Sequence, residues 1–236
     1  GYSGIGHRRT HAISKRDIPT NHLYTEMIRA IKALNPNVFL FENVEGILTS
    51  AWYDFSAEKN LVKSWKNGSD YTIKELKVFA KSMDIKLESS TKEALLPELS
   101  DALNKIAKAH KEVYRGEIFR DVLASFANIK GYTCQPTLVH AYGFGVPQNR
   151  PRVMIMGVKS DLIKDSEIIP TAFDPFMEKV SYSSQLRNNG GFFPTWDEEN
   201  ITAPDLIDVI SDLDFEGWSK ENPRYKKKPK TEFQKF

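Results

Sequence analysis

Two stretches of this chain carry side chains that could do chemistry. In Gly145-Val146-Pro147-Gln148-Asn149-Arg150-Pro151-Arg152-Val153-Met154-Ile155-Met156-Gly157, a glutamine and two arginines stand just before an apolar run with strand composition. Basic groups at a strand mouth suit a polar substrate. Upstream, Phe39-Leu40-Phe41-Glu42-Asn43-Val44 places a carboxylate where another apolar run ends. A glutamate behind an apolar strand can work as a proton donor near neutral pH if burial raises its pKa. Arg150 and Arg152 are two residues apart, so an extended backbone turns both to one face.

The elements that must position these groups are readable from periodicity. Leu23, Met27, Ile28, Ile31 and Leu34 recur at helical spacing between Asn21 and Leu34, and Asn35-Pro36 ends the pattern. Val38 to Phe41 comes next, an all-apolar run of the kind buried on both faces of a parallel sheet. The order repeats with Ile118, Phe119, Val122, Leu123 and Phe126 as a second amphipathic helix, Gly131 as a stop and Tyr132 to Val139 as a strand. Arg152 to Val158 is a third strand candidate. Helices alternating with buried strands predict an α/β sheet, and open sheets of that kind bind ligands at the carboxyl ends of their strands.

Between these units, from about residue 57 to 113, the composition turns lysine-rich and strongly helical. Thr72-Ile73-Lys74-Glu75 and Ser90-Thr91-Lys92-Glu93 both have capping-box form, and Pro97 is expected to split or restart the second helix. The pair of helices around Asp84-Ile85-Lys86-Leu87 resembles the helix-extended-helix modules of the SAP and LEM-like group, some of which bind DNA. Packing on the core without a partner is the plainer reading.

Composition bounds the class. With 236 residues and 40% hydrophobic content the chain can bury a core, and its longest apolar runs fall far short of the roughly 20 residues that cross a bilayer. No membrane association is therefore expected. A net charge of +2 does not argue for nucleic acid by itself, but His7, Arg8, Arg9, His11, Lys15 and Arg16 crowd one early loop and Lys226, Lys227, Lys228 and Lys230 crowd the end. The single cysteine, Cys134, excludes a disulfide framework and a cysteine-rich metal site. It is flanked by Thr133 and by an extended apolar segment, so it reads as a buried strand thiol.

Taken together, Gln148-Asn149-Arg150-Pro151-Arg152 and Glu42-Asn43-Val44 resemble the Gln-x-Arg-x-Arg and Glu-Asn-Val motifs of the DNA cytosine-5 methyltransferases. Gly1-Tyr2-Ser3-Gly4-Ile5-Gly6 is similar to the loop on the carboxyl side of that family's Pro-Cys-Gln nucleophile motif, and Thr231-Glu232-Phe233-Gln234 resembles a later landmark. The resemblance implies an internal fragment, inactive alone, with the nucleophile before residue 1 and the target recognition domain beyond residue 236. It implies a Rossmann-like S-adenosylmethionine-dependent sheet, incomplete, formed by residues 1–56 and 114–160. Residues 57–113 would be inserted and residues 161–236, with a short helix over Asp205 to Leu213, would lead toward the recognition domain.

By the same resemblance, Glu42 acts at N3 of a cytosine and Arg152 at its O2, while Arg150 meets a phosphate or braces the nucleophile loop. Gln148 holds the turn or the DNA backbone, Asn43 bonds the backbone below Glu42, and Leu23 lies beside the cofactor, although its helical spacing equally makes it core. Ser3 and the basic loop from His7 to Arg16 take the place of a mobile loop that closes over DNA, but Ile18-Pro19-Thr20-Asn21 stands where the family often shows Asp-x-Arg. S-adenosyl-L-methionine is the implied donor and double-stranded DNA the implied partner, in a cytoplasmic bacterial or phage modification enzyme that could be paired with a cognate restriction endonuclease. Methylation of RNA cytosine and DNA binding without catalysis stay open as alternatives.

Overall fold

A computed structural model describes residues 15–170, 186, 190–194, 205, 209 and 231. Ser3, the loop from His7 to His11, most of the stretch after residue 170 and the terminal lysines therefore lie outside the described residues. So does the expected helix over residues 205–213, apart from single positions.

The chain runs through α1 (Leu23–Leu34), β1 (Val38–Val44), α2 (Ser56–Lys66), α3 (Ile73–Ser82), α4 (Lys92–Val113), α5 (Glu117–Ala127), β2 (Tyr132–His140), β3 (Pro151–Lys159) and a short α6 (Ser160–Ile163). The three strands form one sheet in the order β1-β3-β2, and both pairings are antiparallel. This corrects the parallel arrangement that the apolar run at Val38 suggests. β1 and β2 point the same way, and β3 lies between them in the opposite direction.

The register divides the sheet into two faces. Phe39, Gly157 and Cys134 align across the strands, as do Phe41, Ile155 and Pro136, and Asn43, Val153 and Leu138. This face packs on α1 and α5, where Phe126 meets Phe39 at 5.5 Å and Phe41 at 5.1 Å between ring centroids. Gly157 is required by that packing, because a Cβ there would sit 2.1 Å from the Phe39 ring.

The other face carries Leu40, Met156 and Gln135 in one row and Glu42, Met154 and Thr137 in the next. Over β2 it is covered: fully buried Gln135 donates to the Gly190 carbonyl (2.7 Å) and accepts from the Phe192 amide (3.0 Å), and Thr137 donates to the Leu186 carbonyl (3.0 Å). Over β1 it is open, with Val38 and Leu40 exposed. β1 is therefore buried on one face, where its composition predicts two.

In α1 the buried stripe is narrower than its periodicity. Ile31, Met27 and Ile28 pack with Tyr24, but Leu23 and Leu34 are exposed at the helix ends. Asn35 adopts the left-handed conformation (φ 46°) and its amide closes the helix on the Ile31 carbonyl at 2.8 Å.

The buried side chains of α2, α3 and α4 form a second cluster around Leu76, Leu95, Leu99 and Leu103, distinct from the cluster under the sheet. The Thr72 capping box is present, with Thr72 Oγ1 accepting from the Glu75 amide (3.2 Å) and the Glu75 carboxylate accepting from the Thr72 amide (2.7 Å). The second box is not. α4 begins one residue later, with Thr91 as an N-cap that makes no side-chain bond. Pro97 does not split α4, which continues for 22 residues. A proline there forfeits one backbone bond, and buried Leu95, Leu96, Leu99 and Leu103 on both sides of it hold the helix together. Among the described residues no helix is long and apolar enough to cross a membrane.

Candidate active site

Glu42 lies two residues from the carboxyl end of β1, and Arg152 is the second residue of β3. In the antiparallel register Glu42 faces Met154 and Val44 faces Arg152, so Glu42 and Arg152 are diagonal neighbours on the open face. Arg152 Nε lies 2.5 Å from Glu42 Oε1. Antiparallel pairing also explains how an arginine that opens its strand reaches the end of the sheet where Glu42 lies. The amino end of β3 coincides with the carboxyl ends of β1 and β2.

The glutamate does not sit in the buried setting expected for it. Its side chain is 49% exposed and that of Arg152 is 20% exposed. Arg152 is further held by Nη1 donating to the Pro151 carbonyl at 2.8 Å. Asn43 turns back on the chain, its Oδ1 accepting from the Val44 amide at 2.8 Å.

Arg150 and Gln148 are not brought to this pair by the strand. β3 begins at Pro151, so Arg150 lies in the preceding loop, where its carbonyl accepts from the Ala141 amide at 3.2 Å and its side chain is exposed. Arg150 therefore stands one residue before the strand, still tied to β2 through the Ala141 amide, and among the described residues only Arg152 is in an ion pair with Glu42. Gln148 is exposed in the same loop, its amide donating to the Val146 carbonyl at 2.7 Å. Leu23 is 60% exposed at the first turn of α1, which removes its reading as core.

Two supports escaped the sequence reading. His140, buried at the end of β2, has Nδ1 3.3 Å from Asn149 Oδ1 and so braces the loop that carries Gln148 and Arg150. A histidine at the carboxyl end of a strand is the signal that marks it. Beyond β1, Trp52 ties the strand's exit to α5. Its amide donates to Glu117 Oε2 at 3.0 Å, its indole donates to Asp121 Oδ2 at 2.5 Å, and the His22 ring stacks on it at 4.9 Å. No local pattern predicts contacts across 65 or more residues.

The basic loop is corrected at its described end. Lys15, expected to meet phosphates, has a side chain only 12% exposed and pairs with Asp54 at 3.3 Å. Burial pushes the Asp54 carboxyl up, but hydrogen bonding from Ser56 and the Lys15 charge outweigh it and hold the group below its ordinary value.

Cys134 lies on the core face, three rows along the sheet and two strands across from Glu42. At about 3.3 Å per residue and 4.8 Å per strand the two backbones are about 14 Å apart. Burial pushes its thiol up to about 11, and Sγ donates to the Phe126 carbonyl at 3.5 Å. At pH 7 roughly one molecule in 10⁴ would carry the thiolate. Cys134 should therefore resist an aromatic disulfide reagent in the native protein and react fully in denaturant. Native labelling at the rate of a free thiol would contradict this.

The model of the C-5 cytosine-specific DNA methylase family matches residues 1–79 and 107–233, leaving out 80–106 and the last three residues. No curated protein matches the chain. The match covers Glu42, Asn43, Gln148, Arg150 and Arg152 as well as all three strands. The chain belongs to the C-5 cytosine-specific DNA methylase family.

Proposed function

We propose that the protein carrying this chain transfers a methyl group from S-adenosylmethionine to C5 of a cytosine flipped out of duplex DNA, on a Rossmann-like sheet of which β1, β3 and β2 form one part. The observation that carries the reading is the Glu42–Arg152 pair on the open face of the sheet. C5 of cytosine is a poor nucleophile. It gains electron density when a thiolate adds at C6, and that density flows toward N3 and O2. These two atoms flank a single ring carbon, so the groups that receive the charge must stand side by side.

Glu42 gives a hydrogen bond or a proton at N3, and Arg152 stabilises the charge at O2. The base edge then takes the place of the direct contact between the two side chains. The open face above β1 leaves the pair reachable by an extruded base. Arg150 and Gln148, exposed on the adjoining loop, would contact the DNA backbone.

The bound donor supplies the methyl group. Of the described residues Leu23 is the one that the family pattern sets beside it, and its exposure leaves its side chain available for an apolar contact. Cys134 cannot supply the thiolate at C6, so the 236-residue chain by itself is expected to transfer nothing.

Labelled S-adenosylmethionine offered to the transfer-competent protein with duplex DNA or with tRNA tests the substrate. Label should enter cytosine of the duplex. A preference for tRNA would overturn the proposal in favour of the RNA-modifying branch.

A further inference from the structure

The groove between α2 and α4 carries chemistry that cytosine methylation does not use. It is a shallow hollow of about 210 Å³, walled by Lys59, Lys63 and Lys66 of α2 and by Ser100 and Asn104 of α4, with buried Val62 and Leu103 as its floor. The three lysines occupy positions i, i+4 and i+7 and therefore line one face of α2 over about 10 Å. All three are exposed, and among the described residues none is in an ion pair. Lys66 Nζ donates to Ser100 Oγ at 2.8 Å, which leaves it two further donors.

Lys59 and Lys63 are like charges at i,i+4, which disfavours a helix, while Lys63 and Lys66 lie in its last turn, where the macrodipole favours cations. The nearest carboxylate in sequence, Glu58, accepts a hydrogen bond from the Tyr53 hydroxyl and does not line the groove. A further lysine-bearing hollow of the helical unit, at Lys77, Lys81 and Lys86, includes Asp84 and is partly balanced. At about 210 Å³ the α2–α4 groove is smaller than the roughly 300 Å³ where small-molecule sites begin. A row of ammonium groups with amide and hydroxyl donors opposite suits a run of phosphates. The second wall, α4, falls largely within residues 80–106, which the family match skips.

We infer that the α2–α4 groove is a second DNA contact, in which Lys59, Lys63 and Lys66 bind backbone phosphates of duplex flanking the target base. The inference rests on the reading that the chain works on duplex DNA. The contact carries no sequence information and adds affinity that depends on salt.

The test measures affinity of the chain for a labelled duplex across a range of KCl concentrations, with the Lys59→Ala, Lys63→Ala, Lys66→Ala triple variant beside the unaltered chain. Each lost phosphate contact lowers the slope of log affinity against log salt by about 0.9. The triple variant should therefore lose about 2 to 3 from its slope and roughly tenfold or more in affinity at low salt. If alanine at residue 66 disturbs the bond to Ser100, the triple glutamine variant keeps a donor there and should show the same loss. An unchanged slope in the folded variants overturns the inference, including the case in which an acidic protein occupies the groove. So does an unaltered chain that binds no duplex. Methyl transfer at saturating DNA depends on Glu42 and not on these lysines, so an unchanged slope leaves the catalytic reading standing.

Discussion

Glu42→Gln should lower methyl transfer to duplex DNA by roughly 10²–10⁴-fold in the transfer-competent protein, with duplex affinity within a few-fold of the unaltered protein. A positioned general acid contributes about that much. Glutamine keeps the length of the side chain, and its carbonyl can still accept from Arg152, so the 2.5 Å contact between β1 and β3 has a near replacement. It cannot give up a proton as charge develops at N3. The expected loss therefore falls on turnover and not on binding.

Arg152 supplies the complementary measurement. Removing a donor that stabilises developing charge costs about 10²–10³-fold. Lysine would not restore it, because an ammonium lacks the planar fork that lets Arg152 hold the Pro151 carbonyl and a base edge together. Single-turnover rates of label transfer with Glu42→Gln and Arg152→Lys are the readout. A loss under tenfold at Glu42 would remove it from the catalytic machinery.

Phe126→Ala should destabilise the chain by about 3–5 kcal/mol, the usual range for emptying a buried phenylalanine site. Phe126 is fully buried, its ring meets both Phe39 and Phe41, and its carbonyl receives the Cys134 thiol. A hole there loosens α5 from the core face of β1. Since a domain's total stability is about 5–15 kcal/mol, the variant should show much of its unfolding already at low urea. Val78→Ala, at an exposed position on α3, should stay within about 0.5 kcal/mol and serves as the control. Urea titrations followed by far-ultraviolet circular dichroism give both values, and a cost below about 1 kcal/mol for Phe126 would show that the core rearranges around the gap.

Local signals carried the reading of elements a long way. β2 extends one residue beyond the run that marks it and β3 one residue at each end, and the Thr72 box caps α3 as its spacing requires. These features depend on neighbours within a few residues. Pro97 shows where local rules stop. Its ring argues for a break, yet α4 runs through it because buried leucines on both sides pack against α2 and α3. Leu23 and Leu34 show the converse, since their spacing suits a core face but the helix ends project past the surface that would cover them.

Which residue types stand at the ends of which strands was legible from the chain's local patterns, and the motifs around Glu42 and Arg152 pointed to the family. Local backbone preference and side-chain type are enough for that. It took the packed fold to set β3 against both its neighbours, to bring Arg152 to Glu42 across more than a hundred residues of chain, and to pair Lys15 with Asp54. Strand direction and register are set by which faces can be buried together once α1 and α5 are in place. A one-residue slip of β3 against β1 would turn Arg152 to the opposite face, away from Glu42.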